Sequence, residues 1–409
     1  MDTTRRTLLR GMAAAPLASA TGGLWVPSTA EAAPPRFRVT MRDRPEQPVG
    51  YTYPAAIAGL LARLPGARPE TVIAGARFHG VANPGGWAEP DRLAYAFAWD
   101  PRTKDPKDPD WYPQGITTSY DSRPGGMPSG KRMVLVSWYA HEDGGKFGQG
   151  ARVSFVDVTD PAKPRYEHVL LVEPRAMPGE PYDFGPVNVH AGGIAWHRNR
   201  LYVADTKGGL RVFNTDRMFR VSTGSAAKSW CGYHAATRKY YAYGYRYALP
   251  QSRAYDNAGA RLIYSQAAID HSAGPPTLLV SEFKRSGTSW AVRWHLNPVT
   301  GAITTEEARG QEQFPLLRIQ GAVSWRGHHF FSLSNGTKQR GWLAAREAWA
   351  TQPGLFGRLS IGPEDLSFSA YGGNRRIWGL GEYLGKRHVY AVRLPRFSRP
   401  PGIPGLDED

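Results

Sequence analysis

One rhythm of short apolar runs and turns recurs through the chain, and repetition of this kind restricts a fold more than composition does. Its clearest copy runs Gly192-Gly193-Ile194-Ala195-Trp196, then Arg200-Leu201-Tyr202-Val203-Ala204-Asp205. After the turn Thr206-Lys207-Gly208-Gly209 it ends in Leu210-Arg211-Val212-Phe213-Asn214. Three successive strands of an antiparallel meander fit this spacing. The rhythm returns in Gly321 to Trp325 with His329 to Leu333, and in Asp365 to Phe368 with Ile377 to Leu380 and His388 to Val392. Two further copies show mainly their later strands, Met133 to Ser137 with Val153 to Asp157, and Leu278 to Glu282 with Trp290 to Trp294.

Each such unit alone has an unpaired edge and an apolar face. Radial arrangement buries the faces against neighbouring units and leaves only short edges. The chain therefore reads as all-β, a β-propeller with five blades favoured. Six or seven stay open, because Tyr240 to Tyr247 is also strand-like. A two-sheet sandwich is the structural alternative, but it does not explain repeated three-strand copies. Turn-forming groups such as Pro124-Gly125-Gly126 and Tyr371-Gly372-Gly373 agree with short strands. The one helical pattern is Ala55 to Leu64, closed by Pro65. The expected organisation is a targeting segment at 1–32, an N-terminal extension at 33–70, the propeller at 71–396 and a tail at 397–409.

The targeting segment carries paired arginines in Thr3-Thr4-Arg5-Arg6-Thr7-Leu8-Leu9-Arg10, a weakly apolar run to Val26, and small residues at Ala30 and Ala32. This is the pattern of a twin-arginine signal, so the translocase of that pathway is an expected transient partner and the protein is expected to be secreted and extracellular. No other stretch is long and charge-free enough to span a bilayer, so no stable membrane anchor is expected. Cys231 is the only cysteine, which excludes an intrachain disulfide and multi-cysteine zinc sites. The net charge is +16, yet its basic residues are scattered without a run of five like charges. That dispersal reads as a solvated basic surface, and nucleic acid is not an expected partner.

Two segments carry a resemblance. Val189-His190-Ala191-Gly192-Gly193-Ile194-Ala195-Trp196 through Asn214, and Ile361-Gly362-Pro363-Glu364-Asp365-Leu366-Ser367, resemble secreted actinobacterial β-propeller proteins of uncharacterised function. Those are in turn distantly similar to surface-layer and strictosidine-synthase-like propellers. The resemblance implies the fold over about half the chain beyond the signal. It implies no chemistry, because no reaction is assigned to the family.

In a propeller the innermost strand of each blade lines the axis, and polar residues at its start gather from distant parts of the sequence. The candidates are His79, His190, His271, Gln320, Glu364 and Asp365. His190 stands directly before Ala191-Gly192-Gly193, where small residues allow close approach of a ligand or a neighbouring strand. His190 and Glu364 are the candidate acid–base pair; His79, His271, Gln320 and Asp365 are candidate ligand-binding groups. Trp138 and Tyr233, placed in or beside connections, are candidate aromatic faces for sugars or planar rings. Together His79, His190, His271 and Glu364 could hold a divalent ion such as zinc, the one cofactor the residues suggest.

The familiar motifs are missing. There is no Gly-x-Ser-x-Gly elbow, no His-Glu-x-x-His, no calcium loop and no phosphate-binding glycine loop. Two readings follow. One is a propeller that binds a small molecule or glycan at its central channel, with catalysis left open. The other is a metal-dependent extracellular hydrolase or lyase using channel His and Glu residues. Convergence of the four metal-capable residues on one pocket separates them.

Overall fold

The computed structural model describes residues 34–45, 51–127, 129–177, 180–224 and 228–394. The expected targeting segment at 1–32 and the expected tail at 397–409 lie outside the described residues. The fold described here is the unit that begins at Arg36.

Five four-stranded antiparallel blades account for most of the strands. Blade 1 runs Trp111–Thr118, Met133–Ala140, Ala151–Asp157 and Arg165–Met177 from its inner to its outer strand. Blade 2 runs Ile194–His197, Arg200–Asp205 and Gly209–Asn214, with Tyr247–Gly259 outermost. Blade 3 comprises Gln266–Asp270, Thr277–Ser281, Ser289–His295 and Gly310–Phe314. Blade 4 comprises Ile319–Trp325, His328–Leu333, Arg340–Arg346 and Gly354–Ile361. Blade 5 comprises Pro363–Tyr371, Asn374–Gly381 and His388–Arg393, and its fourth strand is Leu93–Ala98, drawn from the start of the chain. Pairing of Leu93–Ala98 with His388–Arg393 ties the two ends of the ring together.

The inner strands touch in the cyclic order of blades 1, 2, 3, 4, 5 and back to 1. The buried side chains follow the same order. Val153, Phe155, Trp196 and Leu201 fill the junction of blades 1 and 2. Tyr202, Val212, Leu278 and Trp294 fill that of blades 2 and 3. Phe314, Ile319 and Phe331 lie between blades 3 and 4, and Val323, Phe330, Leu366 and Ile377 between blades 4 and 5. Phe97, Val136, Trp138 and Val389 complete the circle between blades 5 and 1. Each sheet presents one apolar face to each neighbour, which is why runs such as Leu201-Tyr202-Val203-Ala204 are apolar on both faces.

The turns explain the tightness of the blades. Trp325 and His328 pair directly, and the two residues between them, Arg326 and Gly327, both have positive φ, 48° and 79°. That is the left-handed two-residue hairpin whose twist matches the strands. Gly372 and Gly373 make the same turn in blade 5, at 57° and 76°.

The expected helix is present as Tyr53–Leu61, with Thr52 accepting from the Ala55 nitrogen at its start. Tyr240 to Tyr247 is not a further blade. Lys239–Ala242 pairs with Cys231–His234 as a separate hairpin, and Tyr247 opens the long strand shared by blades 1 and 2. That strand also takes Phe37–Arg42 on its free edge, from within the expected N-terminal extension. No helix among the described residues is long and apolar enough to cross a membrane.

Candidate functional site

The five inner strands run parallel, so one end of the axis collects their starts and the other their ends. Close packing fixes their register. A side chain at Gly193 would overlap the Gln266–Ala267 backbone, and one at Gly321 would overlap Asp365 and Leu366. Glycine is required at both positions by this approach.

At this level the axis is filled by Asp365. Its Oδ2 accepts the backbone N–H of Ile116 at 3.0 Å and of Ile194 at 3.1 Å, on the inner strands of blades 1 and 2. Its Oδ1 is buried without a hydrogen-bond partner among the described residues. Burial pushes the Asp365 carboxyl well above the usual range, against the pull of those amides, and the nearby Asp121 carboxylate adds to the rise. Asp365, a candidate ligand-binding group, ties three blades together through these bonds.

Above Asp365, at the strand starts, polar side chains form two hydrogen-bonded sets, one joining blades 1, 2 and 5 and one joining blades 4 and 5. His190 Nε2 lies 2.9 Å from Gln114 Oε1, and Gln114 donates its Nε2 to Glu382 Oε2 at 3.0 Å. Gln320 donates to Glu364 Oε1 at 2.7 Å. The ring of Tyr139 lies 4.1 Å from that of His190, centroid to centroid. Beside them the His141 ring lies 4.7 Å from Tyr112, and Arg387 fixes the chain at Glu382 through its carbonyl at 2.9 Å. The result is a mouth of paired amides and carboxylates edged by aromatic rings and floored by a closed axis. Gln114 and Glu364 are buried within these bonds, whereas His190, Gln320, Glu382 and Tyr139 are half-buried and present the donors and acceptors that hydroxyl groups require.

The other expected residues stand elsewhere. His271 follows the inner strand of blade 3, at the opposite end of the axis, where its Nε2 lies 2.7 Å from the Asp121 carbonyl oxygen. Burial, and next the neighbouring His197, lower its pKa to about 4, so it is neutral near pH 7. His79 is exposed and belongs to Phe78–His79, a short strand on the outer edge of blade 1. Trp138 is not in a connection but on the second strand of blade 1, fully buried, its Nε1 donating to Ser154 Oγ at 2.8 Å. Tyr233 lies in the peripheral hairpin, where its ring packs 5.1 Å from Tyr240. Cys231 of the same hairpin is buried, and burial raises its thiol pKa.

Thus His190, Gln320 and Glu364 share the mouth, whereas His79 and His271 are removed from it. The set of four expected to hold an ion is not gathered. Among the described residues no group of three or more His, Cys, Asp or Glu side chains could hold a metal ion.

Gln114 and Glu382 are absent from the candidates that the sequence offers. Gln114 lies in Trp111-Tyr112-Pro113-Gln114-Gly115, where proline, glutamine and glycine hide an inner strand. Glu382 follows the apolar run Ile377 to Leu380, and a polar residue ending a second strand was the available signal.

No family model matches the chain, and no curated protein matches it. Among solved structures, it is similar to a GH43_1 enzyme from Xanthomonas citri at a TM-score of 0.35 and 9% identity, covering 84% of this chain and 94% of that one. It is similar to the RS223 β-xylosidase at 0.34 and 10%, covering 76% and 96%. The blade assignment rests on strand pairing and on the buried junctions, not on likeness at this level.

Proposed function

We propose that the protein is a ligand-binding propeller whose mouth takes a polyhydroxylated small molecule or a glycan. One observation carries the reading. The hydrogen-bonded sets His190–Gln114–Glu382 and Gln320–Glu364 stand at the inner-strand starts of four blades, with the Tyr139 ring against His190 and Asp365 buried at the next level. Carboxylate and amide oxygens accept from sugar hydroxyls, amide N–H groups donate to them, and an aromatic face packs on sugar C–H bonds. The metal-dependent hydrolase or lyase needs His79, His190, His271 and Glu364 together, and their separation leaves that reading without support.

Calorimetric titration with a panel of neutral oligosaccharides tests the proposal. At least one is expected to bind, with His190→Ala and Glu364→Gln each weakening it about tenfold, equivalent to about 1.4 kcal/mol. Binding by none, or binding unchanged in both variants, overturns it.

We also propose that residues 1–32 direct twin-arginine export and that the protein works outside the cell. The paired Arg5-Arg6 and the small residues Ala30 and Ala32 support this reading.

A further inference from the structure

On the face opposite the mouth, a cleft of about 160 Å³ opens between blades 5 and 1. Arg132 and Val134 of blade 1 line it, with Tyr95, Arg376 and Trp378 of blade 5. Much of the wall is apolar, yet it carries two guanidinium groups. The Arg132 guanidinium is held 5.2 Å over the ring of Tyr371, which keeps it at the cleft.

Several polar tips in the wall are already engaged. Tyr371 Oη is 2.8 Å from Ser119 Oγ, and Trp378 Nε1 donates to Ser369 Oγ at 3.0 Å. The Asp157 carboxylate near the blade 1 side is taken by Lys131 at 3.2 Å, and Asp160 accepts from the Ala162 nitrogen at 3.0 Å. Three donors are left over. Among the described residues neither Arg132 nor Arg376 forms an ion pair. Tyr95 is 5% exposed, and its hydroxyl is buried without a hydrogen-bond partner. A buried hydroxyl left unpaired is costly, and a water, an ion or a ligand that accepts from it removes that cost. Burial, then the positive charges of Arg393 and Arg132, lower the proton affinity of Arg376, so the cleft favours a negative guest.

We propose that this cleft binds a small organic carboxylate, its charge taken by Arg132 and Arg376, its oxygen accepting from Tyr95, and its apolar body against Trp378 and Val134. The guanidinium fork matches a planar carboxylate. A free phosphate shares the charge but would strip water from the apolar wall without filling it. Such a guest bridges blade 1 and the Leu93–Ala98 strand that closes blade 5, and it binds only the closed ring. Ring stability therefore rises with its concentration.

The test uses the full chain, with benzoate as probe, benzamide as its neutral counterpart, phosphate as the alternative anion and sodium chloride as the ionic-strength control. Benzoate is expected to raise the melting temperature saturably, with the other three far weaker. Arg132→Gln and Arg376→Gln are each expected to reduce benzoate affinity about tenfold. Arg132 is exposed, so its variant keeps the fold. No benzoate effect beyond that of sodium chloride overturns the proposal, as does an equal effect of benzamide or phosphate, or an unchanged affinity in the Arg132→Gln variant.

Discussion

Asp365 Oδ2 lies 3.0 Å from the backbone nitrogen of Ile116, so a carboxyl group of the last blade is bonded to the inner strand of the first. The same oxygen takes the Ile194 nitrogen of blade 2 at 3.1 Å. Asp365→Ala leaves two buried N–H groups unpaired, each worth roughly 1–3 kcal/mol. The expected loss is about 2–6 kcal/mol in urea unfolding, while Asp365→Asn, which keeps an acceptor, loses much less. Equal stability of the alanine variant and the parent contradicts this role.

Asp121 ties the opposite end of the axis. Its Oδ2 accepts from Thr117 Oγ1, the Thr118 nitrogen and Ser367 Oγ at 2.8, 3.1 and 2.5 Å. Burial nevertheless outweighs these bonds and raises its pKa from 3.8 to about 6. The folded chain holds this proton more tightly than the unfolded chain does. Its stabilisation is therefore complete below about pH 4 and lost as pH rises through about 6, amounting to roughly 3 kcal/mol at 1.36 kcal/mol per unit. Carboxylates with lowered pKa, such as Asp91 and Asp157, act in the opposite direction. The isolating measurement is the difference between the parent and Asp121→Asn across pH 4 to 7. It should shift in favour of the variant as pH rises.

Asp105 sits in the wall of blade 1, 2.8 Å from Arg152, 2.6 Å from the Tyr166 hydroxyl and 3.1 Å from His168. Arg152 is itself buried, its guanidinium 4.7 Å from the ring centres of both Trp111 and Trp138. Removing one partner of a buried pair strands the other charge, which costs about 3–5 kcal/mol. Asp105→Asn should lower the melting temperature strongly without touching the mouth. Oligosaccharide affinity of the folded variant should be unchanged, and calorimetry below its melting temperature checks both halves.

All five repeating units legible in the sequence occupy separate blades, because runs such as Leu201 to Ala204 and Leu278 to Val280 carry a strand signal of their own. The inner strand of blade 1 was hidden by Pro113, Gln114 and Gly115. Closure of blade 5 by Leu93–Ala98 was hidden for another reason, since that strand pairs with His388–Arg393 across almost the whole chain and no local pattern encodes it. The same distinction governs the site. His190, Gln320 and Glu364 could be placed together because each stands at or just before an inner-strand start. His271 could not be placed from sequence, since it follows its inner strand rather than preceding it. Trp138 and Tyr233 depend on which face of a sheet is covered, and only the assembled blades decide that.

The proposed export rests on Arg5 and Arg6. Replacing both by lysine keeps charge and removes the paired guanidinium groups, so secretion in the native host is expected to stop while folded protein accumulates inside the cell. Comparison of culture medium with cell extract by immunoblot checks it. Undiminished secretion of the double variant contradicts the pathway.

A crystal structure of the protein with its best-binding oligosaccharide tests the proposed mouth most directly. A sugar is expected at the inner-strand starts, hydrogen-bonded to Glu364 and Gln320 and stacked near Tyr139. A sugar bound only on an outer strand or at the opposite end of the axis contradicts it.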